Sequence, residues 1–368
     1  MKRTSVQRGL LVLAAAGTLA LSGCGTAQQP DQADPAAPEM TGAAPIDAAL
    51  VTPVFGWAMT PDQLLLSHDG GTTLSPVDVP VPAGTVRAAH FVDAQAGVVA
   101  AATGDSITVA TTRDGGRSWH TTTVPGATPS PTGYSSLSVS FGDQTHGAVL
   151  ARTATSQAFS LGTIYVTADG GTNWSAHPAP EAGVVQVEPG GGRIWLAGAN
   201  LHASTDQGQH WTQSELSLAG PVSAATVSPP IGTTLPVTVL TDEHTEIQFL
   251  TTIDGGRTWG QPTRQATHGR TGAGVRLAAA STPARPIAYD TVGGHAYRPD
   301  GTDLRPSGLP DGIQTVTFAP NGRNGWTLAG HGTCTGNKQD CTYHNDLLTT
   351  TDGGLTWQTA ATWSRQVS

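Results

Sequence analysis

The sequence predicts an all-β protein in which seven four-stranded antiparallel sheets follow one another around an axis, as in a seven-bladed β-propeller. The first observation is an eight-residue phrase that recurs six times, with Asp near its start and a closing Trp in five copies. Together with an eroded seventh copy, it places aspartates at intervals of 45, 55, 37, 48, 46 and 52 residues. Four short strands fit such a period. The second observation is the composition: only 12% of residues are charged, and 46 glycines suit many tight turns.

The recurring phrase predicts a tight turn between the third and fourth strands, C and D, of each blade. An Asp side chain accepts hydrogen bonds from backbone amides ahead of it, and Gly supplies the positive φ that the turn needs. The Trp offers a large apolar face to a neighbouring unit. We therefore interpret these residues as structural rather than catalytic. They are Asp69, Asp114, Asp169, Asp206, Asp254 and Asp352, the eroded Asp300, and Trp119, Trp174, Trp211, Trp259 and Trp357.

A second recurring pattern, such as FGWAM at 55–59 and NGWTLAG at 324–330, predicts a buried strand before each turn. The repeats divide residues 49–368 into blades. Their approximate bounds are 49–82, 83–128, 129–180, 181–217, 218–268, 269–310 and 311–366. We expect blade 7 to pack against blade 1 without a shared blade. Strand exchange at closure stays open because the first strand of blade 1 is poorly marked. Six or eight blades also stay open because blade 6 rests on the eroded copy.

The first 23 residues have the pattern of a lipoprotein signal peptide. Basic residues precede an apolar stretch at 9–21, and Leu-Ser-Gly-Cys at 21–24 resembles the bacterial lipobox. That resemblance implies cleavage before Cys24 and a diacylglycerol on its sulfur, with ordinary secretory cleavage as the alternative. Residues 24–48, rich in Ala, Pro and Gln, predict a flexible linker. The expected location is the outer face of the bacterial cytoplasmic membrane, with attachment through the lipid.

The charge argues against some partners. Removal of residues 1–23 deletes three basic residues and no acidic one, so the formal net charge moves from −9 to −12. A nucleic-acid partner would need a basic patch, and none is visible in the sequence. An anionic membrane surface would also repel the body of the protein. We expect a monomer without a cofactor, which binds a protein or a glycan.

Two cysteines lie seven positions apart, in HGTCTGNKQDCTYH at 331–344, which is predicted to be the longest loop between strands B and C. Outside the cytoplasm, Cys334 and Cys341 are expected to form a disulfide. The alternative is a metal site, because His331 and His344 flank them with plausible ligand chemistry. We favour the disulfide, with no metal bound.

Three groups of polar residues are candidates for binding on the face that carries the B-to-C loops. They are the cluster Asp242, Glu243 and His244, the connection Arg264, His268 and Arg270, and the pair Tyr343 and His344. Two carboxylates could serve glycoside hydrolysis, but neighbours in sequence seldom face each other across a substrate. For each group the alternative interpretation is an ordinary solvated loop.

The turn phrase resembles the Asp-box, or BNR repeat, of sialidases, sortilin-type receptors and some glucan hydrolases. Combined with the GW-type strand, over residues 55–363, it is most similar to the propeller family of photosystem II assembly factors and their bacterial relatives. The resemblance implies the fold; it does not imply one activity. The early F-R-I-P-like segment of sialidases is missing from this sequence, so the likeness to sialidases concerns the fold only. Our leading hypothesis is a non-enzymatic, lipid-anchored binding or scaffold protein. A glycoside hydrolase is the alternative.

Overall fold

The computed structural model describes residues 37–84, 86–104, 106–124, 133–153, 162–181, 183–228, 234–241, 246–267, 275–276, 286–290, 294–310, 312–335 and 340–367. These residues form seven sheets in chain order, six with four strands and one with five. In each sheet the strands are hydrogen-bonded in sequence order, which is the up-and-down pattern of a propeller blade. The predicted all-β, seven-bladed propeller is confirmed.

The first described strand, β1 (Glu39–Met40), belongs to the last sheet. In each blade, strands A to D run outward from the axis. Blade 1 consists of β2 (Asp47–Leu50), β3 (Gly56–Met59), β4 (Leu64–Ser67) and β5 (Ser75–Val77). Blade 2 consists of β6 (Arg87–Phe91), β7 (Gly97–Thr103), β8 (Ser106–Thr112) and β9 (His120–Thr123). Blade 3 consists of β10 (Tyr134–Phe141), β11 (Gly147–Thr153), β12 (Gly162–Thr167) and β13 (Ser175–Ala179).

The remaining blades repeat the pattern with different strand lengths. Blade 4 consists of β14 (Val184–Val187), β15 (Ile194–Ala197), β16 (Leu201–Ser204) and β17 (Thr212–Gln213). Blade 5 consists of β18 (Val222–Val227), β19 (Leu235–Thr241), β20 (Glu246–Thr252) and β21 (Thr263–Ala266). Blade 6 consists of β22 (Val275–Arg276), β23 (Ala288–Asp290), β24 (Ala296–Tyr297) and β25 (Asp303–Leu304). Blade 7 consists of β26 (Ile313–Phe318), β27 (Gly325–Thr335), β28 (Asp340–Thr350) and β29 (Gln358–Val367).

The one helical turn among the described residues, Pro189–Gly191, is three residues long. Nothing in this part of the chain has the length and hydropathy of a membrane-spanning helix.

The hydrophobic core is divided among the blade interfaces. Within the described residues, a separate cluster of buried apolar side chains lies between each pair of consecutive blades, including blades 7 and 1. Burial of apolar surface is the main favourable term in folding, so each interface stabilises its two neighbours. The ring is therefore closed by the same kind of contact that joins every other pair of blades.

The six intact copies of the turn phrase share one hydrogen-bond pattern, which we call the Asp turn. In blade 2, the Thr112 hydroxyl donates to Asp114 Oδ1 over 2.9 Å and accepts from the Gly116 amide over 2.9 Å. The other oxygen, Asp114 Oδ2, accepts from the Ser118 hydroxyl over 2.6 Å. Equivalent bonds surround Asp69, Asp169, Asp206, Asp254 and Asp352. The carboxylates are thus occupied by their own turns.

The Asp turn also fixes which loops share a face. In blades 1, 2, 3 and 7 the first glycine amide of the turn donates to a carbonyl of the same blade's A-to-B loop, as Gly70 does to Val54 over 2.8 Å. These loops and the Asp turns therefore lie on one face, which we call the Asp-turn face. Because strands alternate in direction, the B-to-C turns and the connections between blades lie on the opposite, open face.

Tryptophans connect neighbouring blades through these turns. The Trp326 side chain on β27 of blade 7 is 1% exposed, and its Nε1 donates to the Gly70 carbonyl of blade 1 over 3.0 Å. In the same way, Trp195 of blade 4 lies against Gly256 of blade 5, where an added Cβ would come within 2.4 Å of its ring. A strand B tryptophan therefore covers the Asp turn of the following blade, and this contact needs glycine there.

The N-terminal part of the described chain differs from the expectation. The linker predicted for residues 24–48 extends too far, because β1 pairs in parallel with β29, Glu39 opposite Thr362 and Met40 opposite Trp363. The Thr362 amide donates to the Pro38 carbonyl over 3.1 Å. Met40 packs against the cluster between blades 7 and 1. Blade 7 therefore has a fifth strand from the start of the chain, although no blade is shared.

Candidate functional site: the blade 7 extension and the central cavity

Several of the sequence-predicted binding residues cannot be placed. Asp242, Glu243, His244, His268 and Arg270 lie outside the described residues, as does Cys24.

Three of the predicted binding residues lie on strands rather than on loops. Arg264 is exposed on β21, the outer strand of blade 5. Tyr343 and His344 lie on β28 of blade 7. Since blade 6 separates blades 5 and 7 in the ring, Arg264 belongs to a different surface from the other two.

The segment at 331–344, predicted to be a loop, is mostly strand. β27 and β28 are each 11 residues long, and they stay in register from Gly325 opposite Thr350 to Thr335 opposite Asp340. The corresponding strands of the other blades have at most seven residues. Four additional residues add about 13 Å of strand. We call residues 330–335, 340–346 and 363–367 the blade 7 extension; it projects from the open face.

A disulfide links the two strands of this hairpin. Cys334 and Cys341 are directly opposite each other in register, with a Cα–Cα distance of 4.1 Å, and their sulfurs are bonded. The predicted disulfide is confirmed, and it replaces the alternative in which both thiolates bind a metal. A bridge around so short a loop contributes about 2 kcal/mol. It keeps the end of the hairpin paired where no neighbouring blade supports it.

The side of the extension toward blade 6 carries two histidines. The rings of His331 and His344 stack with centroids 5.0 Å apart and planes inclined by 23°. His344 Nδ1 is 3.0 Å from the Ser364 hydroxyl, and His331 Nδ1 is 3.5 Å from Asp346 Oδ2. Within the described ranges, no three His, Cys, Asp or Glu side chains have the arrangement that would hold a metal ion. The pair therefore supplies polar surface and imidazole nitrogens rather than a metal centre.

The side of the extension toward blade 1 carries an exposed aromatic ring. Tyr343 is 46% exposed, and its ring covers Gly332, where a Cβ would lie 3.0 Å from the ring. Arg365 is opposite Tyr343 in register and is also exposed. Nearer the axis, Gln314 Nε2 donates to Asn345 Oδ1 over 3.3 Å. Tyrosine and arginine are the side chains enriched at the centres of protein interfaces.

A second concave feature is the central cavity, of about 370 Å³. The innermost strands of blades 1 to 5 and 7 line it, with Phe91, Phe141 and Phe318 among the apolar residues. His90, Gln186, Thr226 and Thr317 are among the polar ones. No Asp or Glu is among its described lining residues. The two carboxylates of a glycosidase are therefore not found in this part of the cavity wall.

The polar residues around the cavity hold neighbouring inner strands together. The Thr317 hydroxyl of blade 7 accepts from the Leu50 amide of blade 1 over 2.9 Å, and Ser140 of blade 3 does the same for Val187 of blade 4. An inner strand has one unpaired edge, so these hydroxyls satisfy amides that the sheet leaves free. Sequence reasoning missed this role, although a polar residue before the last apolar residue of each inner strand is a readable signal.

Two titratable groups near the axis have shifted pKa values. Burial lowers the pKa of His90 to about 4, partly offset by a hydrogen bond to the Phe141 backbone. Burial raises the pKa of Asp47 to about 6, partly offset by the Ala48 amide, although some of its side-chain surface reaches solvent. Asp47 begins β2 and so lies at the open-face end of the inner strand. His90 is therefore neutral at pH 7, which suits a structural hydrogen bond rather than a bound anion.

Comparisons with known proteins concern the fold. No protein-family model matches the chain, and no curated protein matches it either. Among solved structures, Hsv2 of Kluyveromyces marxianus matches with a TM-score of 0.50 and 7% identity, over 89% of this chain and 98% of that chain. YCF48 of Cyanidioschyzon merolae matches with a TM-score of 0.40 and 16% identity, over 88% and 86%.

A third matching structure belongs to an enzyme. An ancestral GH74 enzyme matches with a TM-score of 0.42 and 13% identity, over 88% of this chain but only 38% of that chain. At such identities a shared fold does not carry an activity across. The function must therefore be argued from the residues of this chain.

Proposed function

We propose that this protein is a non-enzymatic binding protein on the outer face of the bacterial cytoplasmic membrane, where it holds a protein partner with the blade 7 extension. The observation that carries the proposal is the extension itself. Its strands continue beyond those of every other described blade, and a disulfide keeps them paired. Ordering extra strands costs backbone entropy, about 1–2 kcal/mol per residue, and no neighbouring blade repays that cost here. A bound partner would supply the missing contacts.

The described chemistry supports binding rather than catalysis. The Asp turn carboxylates accept hydrogen bonds within their own turns, so they are not arranged as acids or bases for a substrate. The described wall of the central cavity contains no carboxylate. On the extension, Tyr343 and Arg365 instead present the aromatic and cationic groups that protein interfaces favour.

Shortening the hairpin is expected to remove partner binding. Gly332 is opposite Tyr343, so replacing residues 333–342 with the dipeptide Asn-Gly should close the shortened strands through a two-residue turn. Affinity capture from native membranes, quantified by mass spectrometry, should show at least one protein enriched about tenfold or more by the wild type, and lost with the shortened variant. A loss of 1.4 kcal/mol in binding free energy corresponds to tenfold.

The matched control alters the opposite face. Val54 is 57% exposed on the Asp-turn face, so Val54→Ser removes a similar amount of exposed apolar surface without touching the extension. This variant should capture the partner as the wild type does. Equal capture by the shortened variant would place the site elsewhere. Hydrolysis of a polysaccharide by the purified wild type would instead favour a glycosidase.

Membrane attachment is proposed from the sequence at 21–24 and has its own test. Cys24→Ala removes the sulfur that would carry the diacylglycerol. We expect the variant to leave the membrane fraction, because two acyl chains provide nearly all of the anchoring and the acidic body adds none. Cell fractionation and immunoblotting measure this. Retention of Cys24→Ala in the membrane fraction, at the wild-type level, would contradict a lipid anchor.

A further inference from the structure

The outer strand of blade 7 has an unusually long edge that only one short strand covers. β29 has 10 residues, whereas the outer strands of the other six blades have two to five. β1 pairs with Thr362 and Trp363 only. From there the chain turns toward blade 1, where the Ile46 amide donates to the Met59 carbonyl over 2.7 Å. The edge of β29 beyond Trp363 is therefore not covered by β1.

The direction of the backbone groups on this edge follows from the ladder. The Thr362 amide points outward, because it donates to the Pro38 carbonyl of β1. Along a strand, successive residues direct their N–H and C=O groups to opposite edges. Ser364 and Gln366 therefore point their backbone groups outward, while Arg365 and Val367 face Tyr343 and Cys341 of β28. Two donors and two acceptors are presented in the spacing of a strand.

Exposed strand edges are normally shortened or blocked in native proteins, because they recruit other strands. The other outer strands follow this rule: β17 and β25 have two residues each, and β5 and β13 contain Pro76 and Pro178. The β29 edge departs from it in length, and no proline interrupts it. β1 moreover shows that this edge already accepts a parallel strand.

We propose that the partner binds by adding an extended segment as a strand along Ser364–Val367, in line with β1 and beyond it. The inference rests on the proposed function and specifies its binding mode. Main-chain hydrogen bonds would supply affinity, and side chains would supply selectivity. Every second side chain of the added segment lies on the blade 1 side, next to Arg365. An acidic residue of the segment is expected at that position.

The probe is a phage-displayed library of random 12-residue peptides, selected on the purified full-length chain. Selected peptides should be enriched in Asp or Glu, and Arg365→Ala should remove that preference. Gln366→Pro deletes one outward N–H and keeps the ladder to β28, since proline is tolerated on edge strands. It should weaken peptide binding at least tenfold. Gln366→Ala, which keeps the amide, is the matched control and should bind as the wild type does.

Two further measurements make the outcomes distinct. Melting temperatures of the three variants should match the wild type, and hydrogen exchange at the Ser364 and Gln366 amides should slow when peptide binds. Binding that Tyr343→Ala abolishes and Gln366→Pro leaves intact would overturn strand addition while keeping the extension as the site. Failure to select any peptide, or peptides that bind the shortened hairpin variant equally, would overturn strand addition. Partner capture by the wild type would then decide the proposed function separately.

Discussion

Trp326→Ala is expected to lower the free energy of unfolding by about 3–5 kcal/mol, the range for a fully buried large aromatic residue. The indole lies between blades 7 and 1, the only junction whose two blades are not consecutive in sequence. It lies so close to Gly71 that an added Cβ there would be 3.1 Å from the ring, and its Nε1 donates to the Gly70 carbonyl. The substitution removes both the apolar contact and the hydrogen bond. Urea denaturation at pH 7 measures the loss.

Trp326→Phe is the matched control for this junction. Phenylalanine keeps most of the apolar contact and loses the hydrogen bond to Gly70, which contributes about 1 kcal/mol. Its destabilisation should therefore be clearly smaller than that of the alanine variant. A loss below about 1 kcal/mol for Trp326→Ala would show that the junction does not depend on this side chain.

Acid is expected to destabilise the propeller steeply between pH 4 and pH 2. Hydrogen bonds from the Ser118 side chain and amide lower the pKa of Asp114 from 3.8 to about 2, and the His210 amide and ring do the same for Asp206. The pKa values of Asp69, Asp169, Asp254 and Asp352 are also lowered. Each folded turn binds its proton less readily than the unfolded chain. Its contribution is therefore complete above pH 4 and is lost as pH falls toward 2.

Melting temperatures between pH 7 and pH 2 test this prediction. Asp114→Asn should be less stable than the wild type at pH 7, and the difference should disappear near pH 2, where the wild-type carboxyl is also neutral. Asp47 acts with the opposite sign, because its raised pKa makes the ionised form costly between pH 3.8 and about 6. The window below pH 4 therefore reports on the Asp turns. A difference that stays constant down to pH 2 would contradict the argument.

The Asp turns and their tryptophans could be predicted because the same short sequence repeats within each unit. Local hydrogen bonds determine their geometry, so the residues that make them stay close together in the chain. The disulfide followed from two cysteines alone in one hairpin. Blade 6 was harder to predict, since its strands have only two or three residues and its turn keeps only Asp300.

The blade 7 extension and β1 could not be predicted in the same way. The residues at 331–344 are rich in Gly, Asn and other polar types that are typical of loops, and their strand conformation depends on pairing with β29. β1 has two residues and lies in an Ala- and Pro-rich segment, so nothing local marks it as a strand. Its partner is almost the whole chain away. Sequence patterns report local preference, and both features depend on distant pairing.

The pairing of β1 with β29 has a consequence for biosynthesis. The ribosome makes Glu39 and Met40 among the first residues and Thr362 and Trp363 among the last, so the first strand waits for its partner until translation is nearly complete. Earlier blades can form from neighbouring residues as they emerge, whereas this pairing cannot. A nascent chain stalled before residue 358 should therefore leave residues 39–40 open to protease, and release of the finished chain should protect them.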